Sequence, residues 1–161
     1  MQVSRFMLAT GFLVLVGPAT AAAQTATQTV TFQVDAVNQV GLAGSPTMSI
    51  TAAVAGNAPT TVTSSGYSWA VTTNQSSAKI TASIASVMPT GLTLSAQLGA
   101  PAGATSGGVV PLGTTAADLV TGITKLNASG LSLSYQLDAT SSAGVVTSTT
   151  RVVTYTITGG V

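Results

Sequence analysis

Apolar and polar residues alternate with period two along most of this chain. In "QTVTFQVDA", Val30, Phe32, Val34 and Ala36 share a face, with Thr and Gln on the other. "TMSITAAV" groups Met48, Ile50, Ala52 and Val54, and "GYSWAVTT" groups Tyr67, Trp69 and Val71. Ala78, Ile80, Ala82 and Ile84 align in "AKITASIAS", as do Leu92, Leu94, Ala96 and Leu98 in "GLTLSAQLG". Leu131, Leu133, Tyr135, Leu137 and Ala139 follow in "GLSLSYQLDA", then Val153, Tyr155 and Ile157 in "RVVTYTIT". Successive side chains of a strand point to opposite faces, so this alternation predicts strands with one face on a core and one in water.

Turn chemistry separates these runs: "AGSP", "AGNAPT", "NQSS", "MPTG", "APAGATSGG", "NASG" and "SSAG". One stretch departs from period two. In "TTAADLVTGI", Thr115 is placed to cap a short helical turn over Ala116 to Val120, ended by Gly122. The Gly- and Ala-rich "GAPAGATSGGVVPLG" before it reads as an exposed loop. Short strands at this spacing predict one all-β domain, a single immunoglobulin-like antiparallel β-sandwich of about seven to nine strands.

That domain is expected over residues 24–161, because residues 1–23 read as a cleaved signal peptide. Arg5 supplies a positive start, "FMLATGFLVLVG" an apolar run, and Ala21 and Ala23 an A-x-A cleavage site. A retained anchor is the rival, but the run is short for a hydrocarbon core of about 30 Å. No later run reaches spanning length, so no membrane span is expected after cleavage. The expected location is extracellular or cell-surface, periplasmic if retained.

Composition then narrows the chemistry. The chain has no Cys, no His and no Glu, and charged residues make up 4% of it. Lys79, Lys125 and Arg151 face Asp35, Asp118 and Asp138 across the expected mature region. Three scattered cations cannot track a phosphate backbone, which argues against nucleic acid as a partner. Disorder goes with low hydrophobicity and high charge, the opposite of this chain.

Catalysis lacks its reagents. Without His or Cys there is no Ser-His-Asp or Cys-His arrangement and no soft-metal site. Asp35, Asp118 and Asp138 show no spacing for a paired-carboxylate site, and calcium needs more clustered carboxylates. A Ser-Lys dyad with Lys79 or Lys125 is formally possible, and Ser76-Ser77-Ala78-Lys79 has the S-x-x-K spacing, but the S-D-N and K-T-G stretches that accompany it in that chemistry are absent. The expectation is a non-enzyme with no catalytic, metal or cofactor-binding residues and no cofactor.

Two binding readings remain. Tyr67 and Trp69, if exposed, would stack on a sugar ring in a module for cell-wall glycan or polysaccharide, but period two places them with Val71 on the core face. The other reading is a structural protein whose partners are itself or other surface proteins. Val30, Phe32 and Val34 form its candidate assembly strand. They either complete their own sheet, the first expectation because consecutive strands usually neighbour each other, or fill a groove in a neighbour. Asn74 and Asn127 begin N-x-S sequons that also make ordinary turns.

"GYSWAVTT" and the closing "VVTYTITGG" resemble WxL-type surface domains. Those are exported all-β domains with two Trp-x-Leu motifs that associate non-covalently with bacterial cell walls. The corresponding residues are Trp69-Ala70-Val71, with Val for Leu, and Tyr155-Thr156-Ile157, with Tyr and Ile for both. The resemblance spans Gly66 to Gly160 and implies a surface location, with Tyr67, Trp69 and Tyr155 as motif aromatics. The two ends also resemble those of chaperone–usher pilins, which start with an alternating donor segment and finish on an aromatic-bearing strand. The usual pilin disulfide is absent.

Overall fold

The computed structural model describes residues 23–160. The expected signal peptide lies outside the described residues, save Ala23. The chain divides into two units, Met1–Gln33 and Val34–Val161. Described residues of the first, 23–33, form no helix or strand, and all are exposed.

The second unit is all-β, with two antiparallel sheets and no α-helix among the described residues. Its strands are β1 (Asn38–Ala43), β2 (Val62–Thr73), β3 (Ala78–Ile84), β4 (Leu92–Leu98), β5 (Thr105–Ser106), β6 (Val110–Pro111), β7 (Ala117–Ile123), β8 (Leu126–Ala139) and β9 (Val153–Thr158). The larger sheet runs β1-β2-β8-β4-β6 and the smaller β5-β7-β3-β9. A short 3-10 turn, Ser141–Ala143, lies between β8 and β9.

The sheets enclose one apolar core. Ala78, Ile80, Ala82 and Ile84 on β3 are all buried, facing Trp69, Val71, Leu94, Ala96, Leu98, Leu133 and Tyr135 of the larger sheet. These are the same-face rows read from the sequence. Full burial of each large aliphatic contributes roughly 1.5–3 kcal/mol, so packing holds this cysteine-free domain together.

Three expectations about local structure are corrected. Over Ala116 to Val120 the chain is strand β7, with Asp118 in a ladder and not in a turn. Val120 pairs with Ile80 and Ile123 with Ala78, so β7 spends one residue more than β3 between those pairs, and Asp118 opposite Thr81 adds another. These bulges let adjacent Leu119 and Val120 both be buried, and with Ile123 they imitate helical spacing. The Gly/Ala-rich stretch before β7 is not simply an exposed loop. It buries Pro101 and Leu112 and holds the short edge strands β5 and β6. "NASG" is no loop either, since it is a bulge inside β8. Trp69 and Val71 pair with Leu131 and Ala128, and Gly130 takes φ +67° to admit the extra residue.

Two expected strands do not form. Between Thr47 and Val54 the chain makes only an isolated bridge, Ala53 to Pro59, although Met48 and Ile50 are half-buried. Pro59 has no N–H to extend that ladder. Over Thr29 to Ala36 there is no strand at all, and pairing starts at Asn38 opposite Thr73. Val30, Phe32 and Val34 are 71%, 87% and 80% exposed. None of these three residues belongs to a strand.

Replacing Ile80 by Ala should lower unfolding free energy by about 2–5 kcal/mol, since the cavity would open at a fully buried position. Urea denaturation of the two proteins measures this.

Candidate functional site

Two features stand out once the strands are placed. The first is the exposed row Val30, Phe32 and Val34. Alternation in a strand reflects a face that something covers, yet here the face is in solvent. Among the described residues Phe32 is the one aromatic that is broadly exposed, all others being buried or half-buried. The chain leaving this row is held before it enters β1. Asn74, just after β2, accepts from Val37 N at 2.8 Å through Oδ1 and donates to Asp35 O at 2.7 Å through Nδ2. Asn74 N also donates to Val37 O at 3.2 Å.

The second feature is β9, an edge strand paired only with β3. Its inner row Val153, Tyr155 and Ile157 lies opposite Ile84, Ala82 and Ile80. The β3 residues are buried, whereas each β9 residue is only half-buried. The core is therefore less well covered at this edge. On the side away from β3, β9 has no ladder partner among the described residues, although β1 of the larger sheet lies near it.

The opposite edges differ. β6 ends the larger sheet with Pro111, and β5 ends the smaller with two residues. Proline and shortness both block strand addition. Arg151 precedes β9 without guarding its edge. Its guanidinium donates to Val87 O at 3.2 Å, Thr150 O at 2.8 Å and Thr149 Oγ1 at 3.1 Å.

The motif aromatics sit inward. Trp69 is 1% exposed and donates its indole N–H to Gly99 O at 3.1 Å, so its faces are closed to a sugar. Tyr67 is half-buried and packs edge-on to Tyr135 with centroids 6.2 Å apart, its hydroxyl 2.7 Å from Ser64 Oγ. Tyr155 donates to the Tyr135 hydroxyl at 2.8 Å, which joins β9 to β8 across the two sheets. Burial pushes the Tyr155 hydroxyl far above the ordinary tyrosine range, and the Tyr135 hydrogen bond reinforces this. Burial also raises Tyr135, partly offset by its bond to Tyr155.

The carboxylates do not converge. Asp118 pairs with Lys79 at 2.9 Å on an exposed face, a contact of roughly 0.2–1 kcal/mol. Asp138 accepts from Thr61 and Gln136, while Asp35 precedes β1. No cluster of three or more acidic, His or Cys residues occurs among the described residues. A recess of about 300 Å³ beside Gly41, Leu42 and Gly130, and one of about 170 Å³ beside Thr63, Gln97 and Ser134, have no charged side chain in their linings. No helix of the described residues is long and apolar enough to cross a membrane.

Sequence reasoning singled out the apolar row and the aromatics, but missed two elements of this surface. The incomplete cover over β9 left no mark, because a strand's own pattern does not show whether a neighbour lies beside it. Asn74 was read only as a turn residue and a sequon. Its bonds to residues 37 and 39 positions earlier have no local signature.

No protein-family model, curated protein or solved structure matches this chain.

Two measurements check the aromatic geometry. Trp69 emission should be blue-shifted and resist iodide quenching in the folded protein, moving red on unfolding. Stability should also fall in alkali. The folded pKa of Tyr155 lies above its unfolded value of about 10. Above that pH the folded state therefore holds more protons than the unfolded chain. The stabilisation is fully present below about pH 10 and is lost as pH rises further. Urea midpoints should hold steady from pH 7 to 9 and then drop, and Tyr155→Phe should flatten the drop.

Proposed function

We propose that this chain is an exported, non-enzymatic structural protein of the cell surface, which assembles by giving its apolar lead segment to the β9 edge of another copy. The observation that carries this reading is the row Val30, Phe32 and Val34, an exposed alternating face in a chain that also carries a strand edge with no ladder partner among the described residues. The row on β9 has the matching period, Val153, Tyr155 and Ile157. Strand addition supplies backbone bonds along an edge and pockets for alternate side chains.

Magnitudes say what such an exchange requires. Burying Val, Phe and Val yields roughly 4.5–9 kcal/mol in all. Association alone costs an estimated 4–15 kcal/mol before the segment is ordered. Apolar burial is thus of the same size as that cost, and the outcome turns on the backbone ladder and on how well the segment is held beforehand.

Other properties favour the same reading. A nearly uncharged, Thr-rich surface offers little repulsion between copies. Export rests on Arg5, the apolar run and the Ala21/Ala23 site, and the WxL-like and pilin-like resemblances agree with a surface location. Crossing from β2 in one sheet to β3 in the other and back to β4 fits an immunoglobulin-like sandwich. One donor row and one receiving edge on each copy make a head-to-tail contact, which propagates into an open filament unless its rotation closes a ring.

The test uses protein starting at Gln24, with light scattering and electron microscopy of the same sample. The native chain should form large species that grow with concentration. Phe32→Asp should remain monomeric with a stability change within about 0.5 kcal/mol, as expected for an exposed site. A monomeric native chain that Phe32→Asp strongly destabilises would show that the segment serves its own fold, and the reading would be wrong. A monomer retained on purified cell wall would favour the glycan-binding alternative.

A further inference from the structure

Strand exchange needs a segment already aimed for a neighbour, and one residue at the base of this segment is built to aim it. We propose that Asn74 is the positioning residue of assembly, a role that rests on the strand-exchange reading above.

A primary amide carries the same donor and acceptor as a peptide group. The Asn74 side chain presents its acceptor to Val37 N–H and its donor to Asp35 C=O, while its own backbone N–H goes to Val37 O. It thereby continues the β1–β2 pairing beyond the last rung, Asn38 opposite Thr73, in place of a further stretch of strand. Asp would keep the acceptor and lose the donor. Ala would lose both.

The anchor sits on a turn that is itself held. Thr73 Oγ1 donates to Asn38 Oδ1 at 2.7 Å and accepts from Gln75 N at 3.1 Å. Lys125 N donates to Gln75 O at 2.9 Å, and Ser77 N to Thr124 Oγ1 at 3.2 Å. The same turn carries the far end of the receiving strand. Gly159 lies against Gln75 and Asn38, and Gly160 lies so close to Ser76 O that a Cβ there would collide with it. The root of the outgoing segment and the end of the receiving edge thus share one support.

Loosening the root leaves more conformations to be lost on docking, so binding slows while the sandwich stays intact. The experiment follows assembly by light scattering and amide hydrogen exchange by mass spectrometry, on native protein from Gln24, Asn74→Ala and Asn74→Asp. In Asn74→Ala, exchange at Val37 should rise and elongation should slow, each by about tenfold. Amides of β3 and β4 should exchange as in the native protein, which separates lost aim from lost fold. Asn74→Asp should protect Val37 and restore part of the rate. If the native chain assembles and Asn74→Ala matches its rate with Val37 deprotected, the anchor is wrong and strand exchange stands. If the alanine variant loses protection throughout β3 and β4 and Asn74→Asp assembles no faster than an unanchored segment should, Asn74 is structural and not positioning. If the native chain never assembles, strand exchange fails and the anchor's role fails with it.

Discussion

A two-layer β domain must close its core along both open sides, and in this protein that requirement shapes everything else. The central row on β3, Ala78 to Ile84, is covered from above by the larger sheet. On its β7 side the seal is thorough. Bulges bury Leu119, Val120 and Ile123 together, and β5 and β6 finish the two sheets. On the β9 side the next row is only half-covered, although the chain has unused apolar residues at Val30, Phe32 and Val34.

The hydroxyl bond between Tyr155 and Tyr135 fits this picture. It ties the sheets together at the side where the apolar seal is thinnest, and it satisfies two groups that burial would otherwise penalise. Tyrosine suits a position of intermediate exposure, because its ring packs and its tip accepts either water or a partner. Adding a strand over β9 would bury these rings further without leaving their hydroxyls unpaired.

Much of the fold was legible because β3, β4, β8 and β9, and the later part of β2, keep period two through their buried rows. The misses have physical causes. Leu119 and Val120 break the period because β7 is bulged, so a strand read as a helical turn. β5 and β6 are too short to show a period, and Gly and Ala around them mask the buried Leu112. Met48 to Val54 and Val30 to Val34 do alternate, yet form no ladder. Alternation records that a face is suited to burial, and pairing depends on a partner that local sequence does not contain. The same limit hid Asn74, whose two side-chain bonds reach across the fold.

The asymmetry of the edges gives the molecule a direction. Pro111 and the two-residue β5 close one side to strand addition, while β9 offers six residues whose outward side chains are Thr154, Thr156 and Thr158. Neither Lys nor Pro interrupts it, and Arg151 is committed to Val87 and its own neighbours. An unguarded edge is a hazard in a protein meant to stay single, because any extended chain is able to pair with it. Under the proposed strand exchange, the same edge would become the receiving surface for a matching row of another copy. Specificity would then rest on side-chain fit, since a chain with so few charged residues has little electrostatic means of choosing partners.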